Sequence, residues 1–187
     1  MTNKMFKAYL AGMAIALGGW AYLSAPNPIV GAVLFACGLL TVRLYKLHLF
    51  TGKVQFMVTK NERWYYYPLI LIFNFIGVLL IVLISYGTIH EPAMAIAEAK
   101  AAQPIWIALV KGFGCGALMS LATYEKTPLW ITVLAVATFI LAGFNHCIAD
   151  FYYMVAGEKL SINLLSTILG NIFGGLAINA QLIKDEP

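Results

Sequence analysis

GLLTVRLYKLHLFTG, residues 38 to 52, and GFNHCIADFYYMVAG, residues 143 to 157, lie 105 positions apart and decide the reading of this chain. Both run from glycine to glycine inside very apolar surroundings. Both also carry polar or ionisable groups that an ordinary membrane helix lacks: Arg43, Lys46 and His48 in the first, Asn145, His146 and Asp150 in the second. Interrupted hydrophobic segments at corresponding places in two halves point to a transport site between the halves.

The rest of the sequence fits a membrane setting. The chain is 61% apolar and 11% charged over 187 residues, with a mean hydropathy of +0.83. Soluble domains carry roughly 25% charged residues. At about 20 residues per crossing, six spans fit: roughly 6–24, 28–50, 65–88, 103–123, 128–156 with a break, and 161–183. The N-terminal apolar run has a poor cleavage site at Gly18-Gly19-Trp20 and further spans behind it, so no signal peptide is read there. Cys37, Cys115 and Cys147 all lie within spans, without metal or disulfide spacing.

Lysine and arginine in the loops set the orientation. With both termini cytoplasmic, Lys4, Lys7, Lys53, Lys60, Arg63, Lys126 and Lys184 fall inside, and only Lys100 and Lys159 outside. The net charge of +4 is thus a topology signal and does not indicate nucleic-acid binding.

The polar stretch HEPAMAIAEAK, residues 90 to 100, reads as the connection between two halves of a single channel domain, about 1–90 and 100–187. Three spans in each half force opposite insertion, giving a 3+3 inverted repeat with spans two and five broken. Ala11-Gly12-Met13 echoes Lys111-Gly112-Phe113. Asn74-Phe75-Ile76-Gly77 echoes Asn171-Ile172-Phe173-Gly174. Asn74 and Asn171 suit either helix packing or a functional role. Irregular backbone in a membrane survives only where protein or water surrounds it, and the break in span two is expected at the turn-forming Gly52. Intramembrane ionisable groups face an aqueous path or one another, which makes His146 the sharpest functional candidate. Arg43 and Lys46, three apart, would share a helix face, with Asp150 or Glu158 as partners for such cations. No nucleophile–base pair, HExxH or phosphate-cradling loop is present, so an enzyme is not expected, nor is a cofactor or metal.

Four motifs, in order across nearly the whole chain, resemble the formate/nitrite transporter family: Leu49-Phe50-Thr51-Gly52, Ala99-Lys100-Ala101, Gly143-Phe144-Asn145-His146-Cys147-Ile148-Ala149-Asp150, and Gly170-Asn171-Ile172-Phe173-Gly174-Gly175. The resemblance implies an all-α, aquaporin-like membrane fold of six helices, one pore per subunit, and a homopentamer in a prokaryotic inner (plasma) membrane. It implies a channel for small monovalent weak-acid anions such as formate, nitrite or hydrosulfide. By the same resemblance His146 is the central pore histidine, Thr51 faces it, and Lys100 supplies positive potential near the pore centre, where Asn145 is a further candidate. Phe35, Leu39 and Phe139 form one apolar constriction and Leu49 the other; His48, Asp150, Asn74 and Asn171 are secondary polar candidates. The chain is shorter than typical members, which reads as the loss of an N-terminal extension.

The chain departs from the family pattern at Asn145 and His48, where glutamate is usual, and at Lys53, Gly116 and Asp150, where asparagine is usual. Substrate preference therefore does not transfer. A bare anion in hydrocarbon costs of order 20 kcal/mol. Two routes stay open: proton exchange at His146 with passage of the neutral acid, or passage of the intact anion past Lys100. A channel for neutral solutes and a non-transporting scaffold subunit are the alternatives.

Overall fold

A computed structural model describes residues 3–58 and 63–184, with side chains through residue 179. Lys60, used above for orientation, lies outside the described residues, as does the side chain of Lys184. The described residues form eight α-helices and no strands: α1 (Asn3–Leu23), α2 (Pro28–Leu44), α3 (Phe50–Lys53), α4 (Tyr66–Ala101), α5 (Ile105–Thr123), α6 (Leu129–Leu141), α7 (Cys147–Ala156) and α8 (Asn163–Lys184), with a 3-10 turn at Val54–Phe56 after α3. By length and composition, α4 and α5 are long and apolar enough to cross a membrane. Large apolar side chains remain exposed on several helices, including Leu17, Ile29, Val33, Leu83, Trp106 and Leu165. So much outward apolar surface belongs to a lipid-facing or partner-facing protein.

Two long interruptions shape the molecule, and local chemistry explains both. α2 starts with Pro28 at its first position and Asn27 as cap, whose side-chain oxygen accepts from Val30 N at 3.0 Å. It ends where Leu47 N reaches back to Val42 O at 2.8 Å around Lys46, whose φ is +50°. α6 ends the same way, with Phe144 N on Phe139 O at 2.9 Å around Gly143, φ +67°. Both are helix stops closed through a left-handed residue. After each stop the chain is extended, through Leu49 (φ −83°, ψ 131°) and His146 (φ −109°, ψ 112°), before a short helix begins.

The break in the first half therefore lies at Tyr45–Leu49, ending on the first residue of the Leu-Phe-Thr-Gly motif. Gly52, where the turn was expected, is a buried residue inside α3. Arg43 and Lys46 likewise share no helix face, because α2 has ended between them. Left-handed backbone suits glycine, which the second half has at this place and the first lacks. Lys46→Gly is expected to raise stability by up to ~1 kcal/mol, read as a higher unfolding midpoint in detergent.

Residues 90–100 are not a loop. α4 continues through them to Ala101, 36 residues or about 54 Å at 1.5 Å per residue. Apolar contacts outweigh the scattered polar residues: Ile89, Ala93 and Ala97 are buried along one side.

The two halves repeat one another, at an offset different from the one the glycine-to-glycine segments suggest. Asn74 Nδ2 donates to Ala8 O (2.7 Å) and His48 O (3.0 Å), and its Oδ1 accepts from Phe50 N (2.8 Å). Asn171 Nδ2 donates to Gly112 O (2.9 Å) and Asn145 O (2.8 Å), and its Oδ1 accepts from Cys147 N (2.9 Å). Asn74 matches Asn171, His48 matches Asn145 and Phe50 matches Cys147, an offset of 97 that also pairs Lys46 with Gly143. The 105-residue match aligned the wrong glycines: Gly38 packs inside α2 against Ala14, whereas Gly143 is a helix stop. On the first helix of each half the offset is 104, so Gly12 corresponds to Gly116 and Ala8 to Gly112. The expected echo of Gly12 with Gly112 is thus one helical turn out. The Asn74–Gly77 echo with Asn171–Gly174 is in register.

Candidate functional site

The short helices α3 and α7 begin side by side in the interior, and their first residues carry the central polar pair. His146 caps α7: its Nδ1 accepts from Ala149 N at 3.2 Å, and its carbonyl receives Asp150 N at 2.7 Å. Nδ1 therefore holds no hydrogen, and in a neutral imidazole Nε2 is then the donor. Nε2 lies 2.9 Å from Thr51 Oγ1, so Nε2–H donates and Thr51 accepts. The Thr51 hydroxyl hydrogen is left to point elsewhere. Thr51 and His146 are 0% and 1% exposed, so the pair is sealed from bulk solvent.

Apolar side chains close in around it. The Phe139 ring stacks on His146 with centroids 5.6 Å apart, and Phe35 meets Phe139 edge-on at 5.8 Å. Leu39 and Leu49 are buried in the same core. Leu49 and Gly52 also line a cavity of about 500 Å³ whose walls include Arg43, Lys46, Lys53 and Glu125. Among the described residues Arg43 is held there by neutral oxygens, donating to Thr132 Oγ1 and to the carbonyls of Tyr124 (3.0 Å), Glu125 (3.3 Å) and Thr127 (2.8 Å). Those bonds staple the α5–α6 connection to the end of α2 while the guanidinium keeps its charge.

Lys100 comes from the last turn of α4. Its Nζ lies 2.9 Å from Asn145 Oδ1 and 2.8 Å from Asp150 Oδ1. Asn145 Nδ2 in turn donates to Gln103 Oε1 at 2.9 Å. Asp150 is thus paired with Lys100, and Glu158 accepts instead from Tyr86 Oη at 2.6 Å. Arg43 and Lys46 are therefore not the cations that these two carboxylates serve.

Of the residues singled out in the sequence, Thr51, His146, Asn145, Lys100 and Asp150 form one linked group, flanked by Phe35, Phe139, Leu39 and Leu49. His48 stands apart: its Nδ1 is 2.6 Å from the Tyr66 hydroxyl. Asn74 and Asn171 are clasps for the two breaks: Asn171 reaches the group through its bond to the Asn145 carbonyl, and Asn74 binds the His48 carbonyl and the Phe50 N–H just before Thr51.

Two positioning residues escaped the sequence reading. Asn163 Nδ2 binds the carbonyls of Lys100 (3.0 Å), Ala101 (3.2 Å) and Gln103 (2.7 Å), fixing the end of α4 that presents Lys100. Gln55, 1% exposed, takes Ser120 Oγ at 2.5 Å, and gives to Thr123 Oγ1 at 2.8 Å and Gly52 O at 3.0 Å. Asn179 Nδ2 holds its carbonyl at 2.6 Å. A lone glutamine before Phe56 was a visible signal; Asn163 looked like an ordinary helix-start residue.

The chain is 24% identical, over 89% of its length and 78% of the relative's, to the uncharacterized transporter YrhG of Bacillus subtilis (strain 168). Its fold is similar to that of a pentameric formate channel solved with formate bound (TM-score 0.81, 22% identity, 98% of this chain and 97% of the other). It is also similar to that of a protein described as an FNT family ion channel (TM-score 0.84, 20% identity, 98% of this chain and 90% of the other). The model of the formate/nitrite transporter family matches residues 1–183. The chain belongs to the formate/nitrite transporter family, and is therefore an integral membrane transport protein and not an enzyme.

Proposed function

We propose that this protein is a pore for small monovalent weak-acid anions of the formate, nitrite or hydrosulfide class. It spans the membrane six times as a 3+3 inverted repeat of aquaporin-like design, with spans two and five broken. Both termini are cytoplasmic, and the protein works as a homopentamer with one pore per subunit in a prokaryotic inner membrane. The seven-to-two loop lysine and arginine bias supports the orientation, and the formate-bound pentamer of similar fold supports the assembly and the solute class.

The observation that carries the reading is the buried Thr51–His146 pair, set between the Phe35–Phe139 contact and Leu49. Apolar residues on either side keep the path dry against leakage. At the centre the free Thr51 hydroxyl hydrogen offers one bond to a passing oxygen or sulfur atom. The cavity with Arg43, Lys46 and Lys53 gathers anions at one mouth by its positive potential. Because His146 Nδ1 is committed to capping α7, protonating it would set an N–H against the Ala149 N–H. His146 thus serves the path as a fixed hydrogen-bond partner for Thr51.

Purified protein in liposomes is expected to take up formate, nitrite or hydrosulfide above protein-free vesicles. Thr51→Val, which removes the central hydroxyl, lowers that uptake about tenfold, the equivalent of one lost hydrogen bond of ~1.4 kcal/mol. No uptake of any weak-acid anion would overturn the reading.

A second reading, a channel for neutral solutes, draws on one observation: the Lys100 charge is answered by Asp150.

A further inference from the structure

Lys100 reaches the central group with its charge already met. Its Nζ touches Asp150 Oδ1 at 2.8 Å and Asn145 Oδ1 at 2.9 Å, and Asn163 clamps the helix end behind it. Asp150 is 1% exposed and sits one helical turn after His146. Its second oxygen, Oδ2, is buried and meets no hydrogen-bond donor among the described residues. An ionised carboxylate is acceptor-only, and a buried acceptor left unmet is costly. One oxygen of the pair therefore serves Lys100, and the other suits a donor that is not part of the fold. The other cation near this carboxylate, Lys111, is half-buried beside Gly143, 3.7 Å from where a Cβ there would sit, and its charge also reaches Asp150.

We infer that Asp150 sets the charge selectivity of this pore: it cancels Lys100 at the centre, and its Oδ2 accepts the acidic hydrogen of a solute that crosses there as the neutral acid. This rests on the pore reading above. The anion takes one proton from water at entry, forming an O–H or S–H bond, and returns it to water at exit. Proton and anion cross together, and no protein group is left changed. A bare anion meets no net positive charge at the centre and a carboxylate oxygen in its way. The neutral acid offers the hydrogen that this oxygen lacks.

The test is a charge series in liposomes and planar bilayers, with formate as the probe and both uptake and current measured. Wild type is expected to take up formate with little current. Asp150→Asn leaves Lys100 unopposed and should raise the current carried per formate by about tenfold or more. Lys100→Met leaves the carboxylate alone and should lower formate uptake by about tenfold or more. The double variant Lys100→Met/Asp150→Asn should fall between the two, and any two members that fold test the order. Formate uptake whose current ratio is unchanged in Asp150→Asn, or an order that does not follow the central charge, overturns the inference alone. A wild-type protein that takes up no weak acid overturns the pore reading, and the inference falls with it.

Discussion

Replacing Asn171 by leucine is expected to destabilise the protein by roughly 3 kcal/mol or more, and to leave little folded protein. The side chain is fully buried and makes three bonds, to Gly112 O, Asn145 O and Cys147 N. Leucine matches its size and satisfies none of them. The loss is worse than three average bonds, because the partners stay buried and unmet in a setting with no water to replace them. The Cys147 N–H opens α7, and the Asn145 carbonyl belongs to the extended link before His146. Without the clasp, the link and the helix start are free to shift, and the Thr51–His146 pair with them. The measurement is the apparent unfolding midpoint and monodispersity in detergent, compared with Asn171→Asp, which keeps the acceptor for Cys147 N but sets a buried carboxylate oxygen against the two carbonyls and should also destabilise. An Asn171→Leu protein that is as stable as wild type would show that the clasp does not hold the break. Asn74→Leu tests the same arrangement in the first half.

The paired asparagines also show what the sequence revealed and what it hid. An all-helical, strongly apolar chain with two broken segments was legible, because hydropathy and polar interruptions are linear signals. The group Thr51, Asn145, His146, Lys100 and Asp150 was legible through motif order. The true register was not. Gly38 and Gly52 drew the eye to a 105-residue match, but glycine in a membrane protein serves close packing, helix stops and turns alike, and composition cannot say which. The repeat lies in hydrogen-bond roles, where Lys46 stands in for Gly143 and Phe50 for Cys147, and side-chain identity is no guide. Residues 90 to 100 misled for a related reason: charged and polar residues are tolerated on the exposed side of a long helix whose other side is buried. Asn163 was missed because its partners are backbone carbonyls some sixty positions earlier, a contact with no local signature.

Gly12→Ala and Gly77→Ala are expected to be as damaging as loss of a clasp, although each adds only one methyl group. A Cβ at Gly12 would lie 1.9 Å from Asn74 O, and one at Gly77 would lie 2.1 Å from Tyr9 O. Both obstacles are backbone, so no rotamer change relieves them, and α1 and α4 must separate. Overpacking of a tight core costs about 1–3 kcal/mol and more when backbone has to move. Separation also lengthens the Asn74 bond to Ala8 O, so the helix crossing and the clasp fail together. The same geometry recurs in the second half, with Gly116 against Asn171 O at 2.3 Å and Gly174 against Phe113 O at 2.0 Å. Gly87→Ala is the internal control: it lies on α4 as Gly77 does, its Cβ would meet nothing within 4 Å, and alanine favours a helix by about 1 kcal/mol over glycine. Unfolding midpoints in detergent should fall sharply for the first two and hold or rise for the third. Equal effects at Gly77 and Gly87 would mean that helix propensity, and not the approach of α1 to α4, governs these positions. Because the clash acts through the Asn74 carbonyl, a Gly12→Ala protein that does fold should lose weak-acid uptake more than a Gly87→Ala protein, whose added Cβ meets nothing within 4 Å.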